Sequence, residues 1–297
     1  MKIRYLIILI VITFGIFRLY DYLTDDFRLG NITHSIPNQE EWAIPQPSSN
    51  EEKELDQILT QPFHYLGKGS QSYAFVSDDG GYVLKFFKFK HLRPNWFYEI
   101  SASLGLFKEQ HAKQAARKER KLWGVFRSYK LAYSEDRPES GLIFIQLNTS
   151  GNPRREITVR DKIGLRRTID LQNYTFILQR KGESLEVVLD RLLKQGDVKS
   201  ASTHLDQIFD LYASEYRKGI YDRDHAVMRN FGFIGDQPIH MDVGKLTADG
   251  ALVDKQRSKA DALLVDGRMK HWIKKYYPQY SEGLSARIDQ KIQKLYD

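Results

Sequence analysis

The chain has 297 residues, a net charge of +7 and no cysteine, so disulfides, thiolate zinc sites and a cysteine nucleophile are excluded. With 41% hydrophobic and 28% charged residues, the composition is that of a globular protein rather than of a disordered chain or a polytopic membrane protein. The small positive excess is compatible with a nucleotide, an acidic substrate or an anionic membrane surface, and it does not indicate a nucleic acid partner.

The N-terminus carries an apolar segment. Lys2 and Arg4 precede an uncharged run from Tyr5 to Phe17, which Arg18 closes. As a helix this run is about 20 Å long, short of the roughly 30 Å hydrocarbon core, so the segment must extend to Leu23 to cross a membrane. No small-x-small cleavage site follows it. We therefore expect residues 1–23 to be a membrane anchor or an uncleaved signal, with a buried helix of the folded domain as the alternative.

The charges around this segment bear on its orientation. The basic residues before it outweigh the acidic flank that follows, and the positive-inside rule then places the N-terminus in the cytoplasm and the domain across the membrane. A short interfacial anchor with the domain on the cytoplasmic face is the alternative to export.

Residues 24–56 contain prolines, paired serines and no apolar periodicity, and they predict a linker. From residue 57 to 180 the pattern changes to short strand-like runs with Gly-rich or Asp-Gly turns, interrupted by one charge-rich helical stretch from about Ala102 to Ala132. We interpret this part as a β-rich N-terminal lobe.

Residues 181–297 have the helical period instead. Two amphipathic helices follow Gly182, the second of which ends at Gly219, and two more are predicted near residues 256–276 and 281–296. Two short strands around Gly235 lie between these pairs. The predicted fold class is therefore α+β, with a β-rich N-lobe and a short α-helical C-lobe.

A glycine-rich hairpin is predicted at residues 66–76, LGKGSQSYAFV, and Lys85 lies on the strand that follows. Glycines such as Gly67 and Gly69, with Ser70 beside them, let backbone N–H groups approach phosphates, and a strand lysine adds one positive charge. The alternative interpretation is an ordinary turn and a solvated lysine.

A second polar segment lies between residues 221 and 244. Asp224 follows a helix and can accept a hydroxyl proton, while Asn230 and Asp242 can bind Mg²⁺. Taken in order with the glycine hairpin and the lysine, these residues resemble the protein-kinase-like superfamily, in which a Gly-rich loop, a strand lysine, H-R-D-x-x-x-x-N and D-F-G follow one another. The shortened C-terminal part resembles small bacterial relatives such as aminoglycoside phosphotransferases and lipopolysaccharide core kinases.

The resemblance implies a two-lobed protein-kinase-like fold that uses ATP and Mg²⁺ to phosphorylate a hydroxyl of a protein, a sugar or a lipid-linked saccharide. It also implies backbone contacts from Gln179 to the adenine and a helix carboxylate that pairs with the strand lysine. Glu119 shares a helix face with apolar residues and is the first candidate for that carboxylate. Glu99 and Glu109 are its rivals, and a surface ion pair is the alternative role for such a residue.

The sequence also departs from the family pattern. Asp222-Arg223-Asp224 replaces H-R-D, and one extra residue precedes Asn230, which leaves Asp222 as the rival general base. No A-P-E motif follows Asp242-Val243-Gly244. Two other functions remain open: a membrane-tethered pseudokinase that binds nucleotide or a partner, and a membrane-tethered structural protein whose glycines and aspartates are only turn residues.

Overall fold

The computed structural model describes residues 2–92 and 108–296, and its architecture is mixed α+β. The chain divides into two compact units. The first contains Met1–Leu122 and Phe144–Leu178, and the second contains Trp123–Ile143 and Gln179–Asp297. The main boundary lies two residues before the predicted one at residue 180, but the segment Trp123–Ile143 belongs to the second unit rather than the first.

Helix α1 spans Lys2–Leu23 and is the apolar segment that the sequence predicts. The stretch Ile3–Leu23 is long and apolar enough to cross a membrane, with a mean hydropathy of 2.0, and none of it is buried in the protein. A signal sequence near an N-terminus has the same properties. The alternative of a helix buried in the folded domain is therefore wrong.

The segment after α1 is packed, so the prediction of a linker over residues 24–56 is wrong. Four of its apolar side chains are almost inaccessible to solvent, and they are Phe27, Ile32, Ile36 and Trp42. Helix α2, Ser49–Leu59, follows and begins with a capping box, in which the Ser48 hydroxyl accepts the Glu51 N–H and the Glu51 carboxylate accepts the Ser48 N–H. Single apolar residues at irregular intervals anchor this segment, and its sequence therefore shows no hydrophobic periodicity.

Aromatic and charged contacts hold this segment to the first unit. The Phe27 ring meets the rings of Tyr73 and Phe75 edge to face, at centroid distances of 5.3 and 4.9 Å. Asp26 accepts a hydrogen bond from the Tyr73 hydroxyl and forms an ion pair with Lys90. Burial would raise the pKa of Asp26, but the Lys90 and Tyr73 hydrogen bonds outweigh it and hold this pKa below its ordinary value.

Side chains of the first unit also contact the C-terminal end of α1 and the residues that follow it. Arg167 Nη2 donates to the Tyr20 hydroxyl at 2.6 Å, and Lys162 Nζ lies 3.2 Å from Asp25 Oδ2. The Arg28 guanidinium stacks over the Phe17 ring at 4.0 Å. The last turns of α1 are thus attached to the unit directly.

A seven-stranded sheet is the centre of the first unit, and its spatial order is β4-β7-β3-β2-β1-β5-β6. Strand β1 pairs antiparallel with β2 and parallel with β5. The strands are β1 Phe63–Lys68, β2 Ser72–Ser77, β3 Tyr82–Phe87, β4 Leu142–Gln146, β5 Glu156–Arg160, β6 Arg166–Asp170 and β7 Phe176–Arg180. Each strand-like run that the sequence predicts here forms a strand.

The long helix α3 covers Lys108–Glu135 in the described part of the chain, in agreement with the predicted helical stretch, and residues 102–107 of that prediction lie outside the described residues. A short helix α4, Arg137–Ser140, follows it. Gly141 takes a φ of +65° immediately before β4, a conformation that favours glycine.

The second unit is mostly helical, as predicted. Its helices are α5 Leu185–Lys194, α6 Val198–Arg217, α7 Val227–Asn230, α8 Lys255–Tyr276 and α9 Ser281–Tyr296. Its short strands are β8 Glu183–Ser184, β9 Ile220–Asp222, β10 Phe231–Ile234, β11 Gln237–His240 and β12 Leu246–Ala248. A buried apolar core joins α5, α6, α8 and α9, and leucine, isoleucine and aromatic side chains dominate it.

Candidate functional site

The polar segment of the second unit begins where α6 ends. Gly219 has a φ of +69°, which ends the helix, and β9 then runs antiparallel to β12 with Asp222 opposite Leu246. A side chain at Gly232 on β10 would place its Cβ 2.0 Å from the Glu183 carbonyl oxygen, so that glycine allows β8 and β10 to pair closely. These pairings fix the two ends of the predicted catalytic segment.

Three buried charged side chains meet beneath this segment. His240 Nδ1 lies 2.8 Å from Glu215 Oε1, and His240 Nε2 lies 3.5 Å from Asp222 Oδ2. The longer distance is an ion contact rather than a full hydrogen bond. Phe231 stacks on the imidazole at a centroid distance of 3.9 Å and closes it off from solvent. We call Glu215, His240 and Asp222 the buried triad.

The contacts in the triad favour the charged forms of His240 and Asp222. Burial alone would lower the pKa of His240, but the negative charge of Glu215 and the contacts with both carboxylates outweigh it and raise the pKa to about 10. Burial would raise the pKa of Asp222, yet contact with His240 and the Asp224 N–H holds it below the ordinary value. An imidazolium therefore lies between two carboxylates inside the unit.

The two candidate bases are in different environments. Asp222 is buried, and its Oδ1 accepts the backbone N–H of Asp224 at 2.9 Å. The side chain of Asp224 is 31% exposed, and its Oδ2 accepts Lys245 Nζ at 2.8 Å. Of the two carboxylates, that of Asp224 is accessible to solvent, whereas Asp222 is buried and shapes the turn before Asp224.

His225 has strained backbone geometry. Its φ is +50°, which is uncommon for a residue with a side chain and typically costs about 1–3 kcal/mol. Its Nε2 lies 2.7 Å from Asp261 Oδ1 on α8, and the Tyr216 hydroxyl donates to Asp261 Oδ2 at 2.5 Å. These contacts hold the backbone immediately after Asp224 in place.

The two predicted metal ligands lie side by side. The carbonyl oxygen of Asn230 accepts the N–H groups of Met241 at 2.6 Å and Asp242 at 3.2 Å. The Asn230 side chain is buried, and its Nδ2 has no hydrogen-bond partner among residues 2–92 and 108–296. This NH2 group is a donor only, whereas a metal would bind the side-chain oxygen Oδ1.

Asp242 itself is exposed at the start of a tight turn. Its Oδ1 accepts the Gly244 N–H at 3.3 Å, and Val243 between them is fully buried. A Cβ at Gly244 would lie 3.2 Å from that same Oδ1. Burial, together with the charge of Asp242, raises the pKa of the Tyr129 phenol. Val243 therefore takes the packing position, while Asp242 faces outward.

Gln179 was predicted to contact adenine through its backbone. In the structure its side chain is buried, and its Nε2 donates to the carbonyl oxygens of Ser140 at 2.6 Å and Met241 at 3.0 Å. The side chain thus positions the residue before Asp242, a role that the sequence did not indicate. The backbone contact stays a prediction.

The predicted phosphate-binding residues belong to the first unit. Gly67 lies on β1 opposite Ala74, and the Gly69 N–H donates to the Ser72 carbonyl across the turn at 2.9 Å, so this N–H is already used within the hairpin. Ser70 is exposed at the turn, and Lys85 lies half-buried on β3. Neither glycine has a positive φ, and a Cβ would clash at neither of them.

A basic cavity of about 540 Å³ lies beside this turn, within the first unit. Lys88 in its wall is buried, and its Nζ donates to the Gly69 carbonyl at 2.6 Å. Burial lowers the pKa of Lys88 to about 8. The remaining cations of the wall are Lys68, Lys90, Lys118 and Lys121, and Asp26 is their counterion in it. The surroundings of the glycine turn therefore favour an anion.

The inward orientation expected of Glu119 is wrong. Its side chain is exposed on α3, because the buried face of this helix begins only at Leu122. Glu119 forms no ion pair with any other residue that the structure describes. The rival Glu109 pairs with Lys113 at 2.7 Å on the surface, and Glu99 lies outside the described residues. The carboxylate partner of Lys85 is therefore not assigned.

Within the described part of the chain, no three His, Cys, Asp or Glu side chains are grouped so that they could hold a metal ion by themselves. Asn230 and Asp242 supply two oxygen ligands at most from their side chains. Mg²⁺ is commonly held in this way, by one or two protein oxygens together with phosphates and water. The oxygen atoms of this pair are of the type that Mg²⁺ prefers.

Comparisons with known proteins give little further information. No family model matches the sequence, and no curated protein matches it. Among solved structures, the bifunctional kinase-methyltransferase WbdD is similar at 12% identity with a TM-score of 0.36. The alignment covers 77% of this chain and 46% of the WbdD chain, so this chain spans less than half of that protein. The assignments therefore rest on the residues of this chain.

We expect the buried triad to dominate the stability of the second unit. His240→Gln removes the cation and leaves two buried carboxylates facing each other, which should lower the free energy of unfolding by about 3–5 kcal/mol. Chemical denaturation of the full chain in detergent measures it. His64→Gln, at an exposed ion pair with Asp78, is the matched control and should change stability by less than about 1 kcal/mol. Equal effects of the two substitutions would contradict this assignment.

The triad should also make the free energy of unfolding depend on pH. Because the pKa of His240 is raised from 6.5 to about 10, its contribution is complete below pH 6.5 and is lost as the pH rises toward 10. Over that window the wild-type free energy of unfolding should fall relative to that of His240→Gln by up to about 1.4 kcal/mol per pH unit. Parallel stability curves for the two proteins across this window would show that the imidazole is not charged.

Proposed function

We propose that this chain is a membrane-anchored phosphotransferase with a protein-kinase-like fold, which transfers the γ-phosphate of ATP to a hydroxyl group with the help of Mg²⁺. The acceptor would be a protein, a sugar or a lipid-linked saccharide. In this assignment Asp224 is the general base, Asn230 and Asp242 bind the metal, and Lys85 and the glycine turn hold phosphates.

One observation carries this proposal. The carbonyl of Asn230 accepts the Asp242 N–H, and Arg223, next to Asp224, pairs through its backbone with Lys245. Two segments distant in sequence therefore bring an exposed carboxylate, a buried amide and a second exposed carboxylate into one part of the second unit. Phosphoryl transfer needs a hydroxyl-proton acceptor next to a metal site, and these groups meet that need.

The glycines of the first unit support the nucleotide-binding part. Glycine is usually required for a positive φ or for close packing, and Gly67 and Gly69 show neither. Gly67 lies at an irregularity in the pairing of β1 with β2, and the open space around both glycines leaves room for a ligand. Because the Gly69 N–H is engaged, phosphate contacts would come from other N–H groups of the turn and from nearby lysines.

A nucleotide-binding pseudokinase is the second candidate. Lys245 Nζ lies 2.8 Å from Asp224 Oδ2, and this ion pair occupies a carboxylate oxygen that would otherwise meet an acceptor hydroxyl. The extra residue before Asn230 also favours a pseudokinase. A pseudokinase would bind ATP but would not transfer its phosphate. The two candidate functions are therefore distinguished by measuring phosphate transfer and not by measuring ATP binding.

The glycine turn provides a test that separates ligand binding from folding. Gly67→Ala with Gly69→Ala should change the free energy of unfolding by less than about 0.5 kcal/mol and weaken ATP binding at least tenfold, because the added methyl groups occupy open space. Calorimetric titration with Mg-ATP measures the affinity. Gly232→Ala is the contrast: its Cβ meets the Glu183 carbonyl, and it should unfold the protein. Unchanged ATP affinity in the double variant would remove the phosphate role of this turn.

The catalytic assignment is tested by separating binding from turnover. Asp224→Asn should keep ATP affinity within about threefold and lower transfer of radiolabelled γ-phosphate by roughly a hundredfold or more. Asp242→Ala should abolish both Mg²⁺-dependent ATP binding and transfer. The exposed turn residue Asp236, changed to asparagine, is the control and should behave as wild type. Full transfer activity in Asp224→Asn would show that the base lies elsewhere.

The side of the membrane is a separate prediction. The charge bias around α1 favours export of the domain, into a compartment that would have to supply ATP, and the cytoplasmic face is the alternative. Protease added to intact cells that express the full chain should then digest the domain, as detected by immunoblot. Lysed cells provide the positive control for cleavage. Protection of the domain until lysis would place it in the cytoplasm.

A further inference from the structure

A second cavity, of about 580 Å³, lies in the second unit, and its lining includes His225, the residue that follows the predicted base. Residues from His225 to Arg229 form one wall, the face of α8 from Gly267 to Tyr276 forms another, and Glu186 on α5 contributes to the rim. We call this cavity the basic groove. Its volume is in the range of small-molecule sites, which run from about 300 to 1,000 Å³.

The groove is positively charged and its charges are available. Arg229, Arg268 and Lys275 carry full charges, and they face a single carboxylate, Glu186. Among the residues that the structure describes, the guanidinium groups of Arg229 and Arg268 form neither an ion pair nor a hydrogen bond. These two arginine side chains therefore do not stabilise the fold through polar contacts. Such side chains, placed together in one concave site, favour an anionic ligand, above all a phosphate group.

Aromatic side chains line the same groove. Trp272 and Tyr276 lie one helical turn apart, with a ring-centroid distance of 5.3 Å, and Tyr276 is 53% exposed. Lys275 Nζ lies 4.8 Å from the centre of the Tyr276 ring. Flat apolar faces beside cations suit a compact ring compound that bears both C–H surfaces and anionic substituents.

The groove and the catalytic segment share one stretch of chain. His225 directly follows Asp224, and Arg229 directly precedes Asn230, so consecutive residues line the groove and supply the proposed base and metal ligand. Adjacent Cα atoms are about 3.8 Å apart, which places the groove wall within one residue of the base. The strained φ of His225, held by Asp261, keeps this junction fixed.

We propose that the basic groove binds the acceptor, and that the acceptor is a small polyhydroxylated ring compound that already carries phosphate. This rests on the proposed phosphotransfer. Arg229 and Arg268 bind the phosphate that the acceptor already carries, and Trp272 packs on its ring. In the transfer step the acceptor hydroxyl oxygen forms a bond to the γ-phosphorus, the bond from that phosphorus to the bridging oxygen of ADP breaks, and Asp224 takes the hydroxyl proton.

The test uses the full chain in detergent and glucose 1,6-bisphosphate as the probe. Isothermal titration at low ionic strength compares wild type with Arg229→Gln/Arg268→Gln. The matched control is Arg257→Gln/Lys274→Gln, which removes the same charge from exposed positions of α8 outside the groove. We expect the groove variant to bind the probe at least tenfold more weakly, the control variant to stay within twofold, and glucose to bind neither protein.

The outcomes separate this proposal from the proposed function. Loss of probe binding in the groove variant, with unchanged Mg-ATP affinity, supports the groove as the acceptor site. Because this result is a binding measurement, it holds even where no ATP turnover is found. No binding of the probe to wild type, or equal binding to the groove and control variants, would overturn the proposal. Tighter binding of an acidic peptide than of the probe, abolished by the same two substitutions, would overturn the acceptor class.

Discussion

The second unit depends on the charges that Glu215, His240 and Asp222 share in its interior. Any one of these groups ionised alone would lose its hydration without compensation, so helix, hairpin and strand must bring all three together. Once Asp222 is held inward, the chain turns and Asp224 comes to the surface. His240 is likewise two residues from Asp242. A single buried network therefore sets the starting point of the loops that carry Asp224 and Asp242.

Much of the fold could be predicted because its elements are periodic. Strand alternation and the helical period identified the sheet and the later helices, and the order of Asp224, Asn230 and Asp242 identified the polar segment. The segment after α1 could not be predicted, since it packs through isolated side chains such as Phe27 and Trp42 whose partners lie far away in the sequence. Patterns within a short window contain no information about such contacts.

The residues that sequence reasoning missed are buried polar groups. In the sequence, Glu215 lies among apolar neighbours on α6, and His240 ends a short apolar strand. These positions are the available signals of burial, but the pairing of the two residues across 25 positions is visible only in the tertiary structure. Gln179 was missed for the same reason. The error at Glu119 is of another kind: helical spacing gives the direction of a face, but not how far along the helix that face remains covered.

The attachment of α1 to the first unit has a consequence for reach. A flexible linker of 33 residues would let a domain range over roughly 30 Å from its anchor. Here Arg167 holds Tyr20 and Phe27 is buried a few residues later, so that freedom is absent. Where α1 is embedded in a bilayer, the first unit is held at a fixed height and tilt above the lipid. Anions that bind the lysine-lined cavity of this unit would then be selected by their distance from the membrane plane as well as by their chemistry, and lateral diffusion would deliver those that lie within that plane.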